Sequence, residues 1–194
     1  MPVEDPAHAQ NAVRAAQEIE QLINHRRFGA DVEFITRVGI NTGQMLAGNL
    51  GSRFRFDYTL IGDPVNFASR LEALNKVLGT HVLLSEATRV RLDGQFATRE
   101  LGRFIVAGKT QSKTIHELLG PALETPPAWI ATFASALAAF HSRDFESAAA
   151  LFQRVNEERE NGDGPAQFYL EQIAALRTAS LPPAWEGAIE ITSK

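Results

Sequence analysis

Residues 37–74 constrain this chain more than any other stretch, because they run through extended segments and turns and then commit to a helix whose start is written in three residues. Gly62-Asp63-Pro64 joins a helix-capping carboxylate to a proline, whose fixed φ and missing N–H suit the first helical position. The spacing predicts a helix from Pro64 onward, with Asp63 as its cap rather than a metal ligand. Phe67, Leu71, Leu74 and Leu78 fall within one arc of that helix and form its packing face. Asn66 and Arg70 stand four residues apart at the edge of the stripe, so an amide and a guanidinium can reach one ligand. An isolated pair of this kind usually does no more than cover a solvated helix face.

The flanking sequence alternates the two periods. Asp5-Pro6 reads as another cap and first position, followed by Ala9, Ala12, Val13, Ala16, Ile19 and Ile23 at helical spacing, which predicts a first helix to about Arg26. Residues 34–41 are β-branched and apolar, Thr42-Gly43 supplies a turn, and residues 44–49 are expected to return as the antiparallel partner. A further extended stretch covers 54–61. Beyond the central helix come a strand at 81–84, a short helix at 85–92 capped by Ser85, and a hairpin of 101–106 with 112–119 around Gly108-Lys109. The fold class is therefore α+β.

The composition changes at Gly120-Pro121, which sets expected units of 1–120 and 121–194. The second unit holds three helical stretches, 129–140, 145–158 and 165–178. Small and aromatic residues alternate over 137–152 in the manner of a tetratricopeptide-like helical hairpin. Too few repeats are present for a free-standing solenoid, so this all-α appendage is expected to dock on the first unit, on a partner, or on both. The tail around Leu181-Pro-Pro-Ala-Trp185 reads as a strap anchored by Trp185.

With 194 residues, 44% hydrophobic and 22% charged, the chain can bury an ordinary core. A net charge of -4 argues against nucleic acid as the default partner. No apolar run approaches the about 20 residues needed to span a bilayer, and the first residues lack a signal peptide's pattern, so a cytoplasmic location is expected. The chain has no cysteine, and His8, His25, His81, His116 and His141 show no metal-ligand spacing, so no metal site is expected from this chain's own residues.

Residues 32–119, above all Tyr58-Thr-Leu-Ile-Gly-Asp-Pro-Val-Asn-Phe-Ala-Ser-Arg70, resemble the C-terminal part of the class III nucleotidyl cyclase catalytic domain. The resemblance implies a ferredoxin-like α+β domain, here N-terminally truncated, that converts ATP to 3′,5′-cyclic AMP and pyrophosphate. It makes Asn66 and Arg70 the transition-state pair. Arg70 would stabilise charge developing on phosphate oxygens, and Asn66 would orient the attacking 3′-hydroxyl. Thr59, seven residues before Asn66, occupies the family's base-reading position and favours adenine over guanine, although a strand threonine needs no such role.

Many relatives carry a triphosphate-binding lysine at the position of Ala107. Here Lys109 is either its substitute as a mobile point charge or a hairpin-tip lysine. The family's two metal-holding aspartates, which bind Mg2+ or Mn2+ in a complete enzyme, would lie upstream of Met1. Asp5, Asp31, Asp57 and Asp63 sit in no matching motif. Family cyclases form dimers with composite sites, so the resemblance implies a homodimer in which this chain supplies the Asn/Arg half and is inactive alone. The alternative is a non-catalytic regulatory or dimerisation module.

Overall fold

The computed structural model describes residues 4–24, 26–29, 31–52, 55–106, 108, 110–178, 181–182 and 185–191. In chain order the elements are α1 (His8–Ile23), β1 (Arg27–Phe28), β2 (Val32–Glu33), β3 (Val38–Ile40), β4 (Leu46–Ser52), β5 (Arg55–Ile61), α2 (Asp63–Leu78), β6 (Val82–Ser85), α3 (Glu86–Arg89), β7 (Phe96–Val106), β8 (Lys113–Pro121), α4 (Ala128–His141), α5 (Phe145–Glu158), α6 (Gly164–Leu176) and β9 (Ile189–Ile191). The mixed α+β architecture expected from the sequence is the one observed.

The main sheet has the order β3-β6-β8-β7-β9, and two further pairs, β1-β2 and β4-β5, stand apart from it. β7 and β8 form the long antiparallel hairpin expected around Gly108, from Phe104 opposite Lys113 back to Phe96 opposite Pro121. The expected hairpin between 34–41 and 44–49 does not form. β3 instead pairs parallel with β6, and β4 pairs antiparallel with β5. The reason lies just beyond β3. Asn41 Nδ2 donates to the Pro64 carbonyl at 3.0 Å, and a Cβ on Gly43 would lie 2.7 Å from Pro64 Cγ, so this stretch is drawn to the start of α2 and leaves the sheet. Gly39 also admits α2 directly onto β3, since any side chain there would overlap the Ala68 carbonyl.

Two helix starts differ from the sequence reading. α1 begins at His8 rather than Pro6, because Asp5 closes a preceding turn, its carboxylate accepting the Ala7 N–H at 2.8 Å. α1 ends at Ile23, short of Arg26. Gly62 rather than Asp63 caps α2, at φ 144, and the Asp63 carboxylate sits in the first turn where the helix dipole favours it. Ser85 does cap α3, accepting the Thr88 N–H at 3.2 Å. α3 stops at Arg89.

Phe67, Leu71, Leu74 and Leu78 are buried as their spacing predicts, and they join one apolar core with Leu101 and Phe104 of β7 and Phe133, Phe140, Phe152 and Tyr169 of the C-terminal helices. The helices therefore dock on the sheet and on α2. A buried ionic cluster reinforces the contact. Arg99 Nε donates to Glu117 at 2.5 Å, Arg99 Nη2 reaches Asp163 at 2.8 Å, and the Arg99 guanidinium lies over the rings of Trp129 and Phe133 at 4.9 and 4.6 Å. Trp185 anchors the strap against Phe140, 5.4 Å between ring centroids, while Arg143 Nη2 donates to the carbonyls of Pro182 and Trp185. The strap continues into β9, a strand the sequence reading lacked, which pairs parallel with β7.

Candidate functional site

Capping by Gly62 puts Asn66 in the first turn of α2 and Arg70 one turn later. Asn66 is exposed, and Arg70 is half-buried. Arg70 Nη1 is buried without a hydrogen-bond partner, and its Nη2 would lie 3.4 Å from a Cβ built on Gly108 at the β7–β8 turn. The guanidinium thus sits between the helix and the hairpin tip. It lines a cavity of about 880 Å³ with Arg37, Lys76, Val106, Gly108 and Ile191. Arg37 Nε is likewise buried without a hydrogen-bond partner. Arg37 and Arg70 both line this cavity, and each keeps one buried nitrogen without a hydrogen-bond acceptor, so the cavity wall is cationic and suited to an anion.

Sequence reasoning missed Arg37. The signal available was a cation immediately before the β3 strand, but only the docking of α2 on β3 brings it to Arg70's side of the molecule. Thr59 is placed differently: it stands on β5 opposite Gly48 of β4, exposed on the separate two-stranded sheet. Neither Thr59 nor Asn66 lines the Arg70 cavity. The structure thus brings Arg70 to the turn that carries Gly108 and leaves Thr59 and Asn66 off the wall of that cavity. Lys109 and Ala107 lie outside the described residues, as does His25.

A second cavity of about 720 Å³ borders the first turn of α2, lined by Asn41, Thr42, Asp63, Glu86 and Lys113. Its neighbour His116 is buried against the Glu86 carboxylate. Burial lowers the His116 pKa below the ordinary imidazole value, outweighing the pull of Glu86 in the other direction. Among the described residues no three His, Asp or Glu side chains converge in a way that could hold a metal ion. Asp31 is engaged with Arg27 at 2.8 Å, and Asp5 with the start of α1. The carboxylates present do not fit a divalent-metal cage. No helix among the described residues is long and apolar enough to cross a membrane.

Residues 1–118 match the family described as the adenylate and guanylate cyclase catalytic domain. The chain is 38% identical over 123 residues to Adenylate cyclase 1 of Rhizobium meliloti, covering 61% of this chain and 18% of that protein. It is 28% identical over 183 residues to the terminal-differentiation specific adenylate cyclase of Dictyostelium discoideum, covering 88% of this chain and 8% of that one. The chain therefore spans less than a fifth of the length of these relatives. Among solved structures, it is similar to the guanylate cyclase domain of RhGC from Catenaria anguillulae in complex with GTP, at a TM-score of 0.54 and 29% identity over 62% of this chain and 64% of that one. It is also similar to the catalytic core of a rhodopsin-guanylyl cyclase with converted specificity in complex with ATPalphaS, at a TM-score of 0.52 and 31% identity over 61% and 62% of the two chains.

Proposed function

The chain belongs to the adenylate and guanylate cyclase catalytic-domain family, and from that premise we propose that it supplies the transition-state half of an adenylate cyclase. The observation that carries this reading is Arg70, whose guanidinium sits on a cavity wall with one nitrogen buried and unpartnered beside the β7–β8 turn. In the reaction the 3′-hydroxyl oxygen bonds to the α-phosphorus, the bond from that phosphorus to the bridging oxygen breaks, and pyrophosphate leaves as the hydroxyl loses its proton. Negative charge builds on the phosphate oxygens during that step. A fixed guanidinium stabilises it more than it stabilises the ground state, a contribution of about 3–4 kcal/mol for one well-placed donor. Asn66, exposed one turn earlier on the same helix, orients the ribose hydroxyl. Thr59 meets the exocyclic amine of adenine, and Lys109 supplies a charge at the triphosphate.

Two features support a homodimer. Among the described residues, Thr59 stands exposed on a hairpin that pairs only within itself and displays Leu46 at 77%, Tyr58 at 61% and Leu60 at 47% exposure. A lone two-stranded hairpin is marginal in water and gains from a second chain. The carboxylates for Mg2+ or Mn2+ belong, in this reading, to a partner protomer that carries them, so two copies of this chain by themselves are inactive. ATP as substrate accords with the cytoplasmic location expected from the sequence. The cyclase unit is kept at 1–120, near the end of the family match at residue 118, with 121–194 read as a helical, tetratricopeptide-like appendage whose helices share the core of the first unit.

The test is complementation. The chain is mixed with a cyclase protomer that retains its metal carboxylates but lacks the Asn/Arg pair, and cyclic AMP and cyclic GMP are measured. Restored cyclic AMP production is expected. Association without any cyclic nucleotide would favour the alternative, a regulatory or dimerisation module, and preferential cyclic GMP would overturn the reading of Thr59.

A further inference from the structure

Helix α6 touches both elements that face each other across the Arg70 cavity. Its first residue, Gly164, meets the end of α2 backbone to backbone: any Cβ there would overlap the Leu78 carbonyl and come within 3.0 Å of Gly79 Cα. Neither obstacle is a side chain that could rotate away. Further along α6, Tyr169 meets β7. That strand shifts register between Glu100 and Gly102, which leaves Leu101 out of the β7–β8 pairing, and the Leu101 carbonyl accepts the Tyr169 hydroxyl at 2.6 Å. Gly102, at φ 108, leaves room for that hydroxyl where a side chain would collide with it. The ring is fully buried and stacked on Phe152 at 4.7 Å, and its neighbour Phe168 lies 6.1 Å from Phe104 of β7.

We propose that α6 is a spacer fixing α2 relative to β7, and that Gly164 and Tyr169 are positioning residues for Arg70, acting from outside the segment that matches the cyclase family. This rests on the reading of Arg70 as the transition-state group. α2 carries Arg70 on the cavity, and β7 ends at Val106 beside the turn that holds Gly108. Both elements therefore contribute to the cavity wall, with Arg70 from α2 and Val106 from β7. Close packing transmits a displacement at Gly79 or Leu101 along each element because neither a helix nor a paired strand deforms continuously. Tyr169 is suited to the task because burial raises its pKa well above the ordinary phenol value, which keeps the hydroxyl a donor.

The test uses the full chain as wild type, Tyr169→Phe and Gly164→Ala. Amide hydrogen exchange is followed over 63–79, 99–106 and 128–158, and kcat and KM are measured in the complementation mixture. Tyr169→Phe keeps the ring and removes only the tie, so exchange should rise in 63–79 and 99–106 while 128–158 stays protected. kcat should fall about tenfold with KM within about twofold, the pattern of misplacement rather than lost binding. Gly164→Ala should give the same pattern from the other contact, and Tyr169→Phe alone decides if that variant fails to fold. Unchanged α2 exchange, loosening spread equally over 128–158, or a raised KM at constant kcat would each overturn the proposal. Should the wild-type mixture make no cyclic nucleotide, the reading of Arg70 fails, and exchange in α2 still decides whether α6 holds it.

Discussion

Arg70 and Thr59 lie close together in the chain yet are held in opposite ways. Arg70 rides on a helix whose Phe67, Leu71, Leu74 and Leu78 are sunk in the main core, with the C-terminal helices behind it. Thr59 rides on a hairpin that forms its own two-stranded sheet and exposes Leu46, Tyr58, Leu60 and Ile61. One chain thus holds Arg70 on a helix packed into its core, whereas the hairpin of Thr59 leaves its apolar side chains uncovered among the described residues.

The sharpest way to break that contrast is to loosen the rigid side. Arg99→Met strands Glu117 and leaves Asp163 with Arg159 as its remaining cation in the docking interface. Removing one partner of a buried cluster costs about 3–5 kcal/mol, which urea unfolding of the full chain would report. A loss below about 1 kcal/mol would mean that apolar packing alone docks the helices. Arg70→Ala should lower turnover in the complemented enzyme by about 10²-fold, with a smaller change in nucleotide affinity. An equal loss of affinity at unchanged turnover would contradict the role.

On the exposed side the expectation reverses. Leu46→Asp with Leu60→Asp should leave the unfolding free energy within about 0.5 kcal/mol per site, as for surface positions, but weaken self-association about tenfold or more in sedimentation. Unchanged association would place the second surface elsewhere. The smallest effect concerns His116. Its pKa is lowered by burial, so the unfolded chain binds the proton more readily, and the stability this residue contributes is present above about pH 6.5 and declines as pH falls from there toward the lowered folded value. Glu117 acts in the opposite sense, since burial raises its pKa and stability falls as pH rises through that value. A His116→Gln comparison isolates the histidine: the stability gap between wild type and variant should narrow on acidification below that point, and a constant gap would contradict a neutral buried imidazole.

Much of the fold was legible because it was local. The α2 face, the Ser85 cap, the β7–β8 hairpin and the C-terminal helices follow from periodicity and turn residues, which act over a few positions. The β3 error was of another kind. Thr42-Gly43 carries a turn signature, yet the chain there is drawn to Pro64, a contact between residues about twenty positions apart that no local pattern encodes. Strand β9 escaped for a similar reason: a three-residue strand acquires its identity only from pairing with Phe104, Ile105 and Val106.

For the candidate site, sequence alone determined which residue types stand together, Asn66 and Arg70 on one helix that follows Thr59, because residue type and helical spacing are properties of the chain itself. Tertiary structure alone decided that Arg70 shares a cavity with Arg37 and Ile191 while Thr59 stands apart on an exposed hairpin. It also decided that α6 lies against both α2 and β7. Those outcomes depend on burial and on contacts between distant residues, and the free energy of such contacts exists only once the chain has closed on itself.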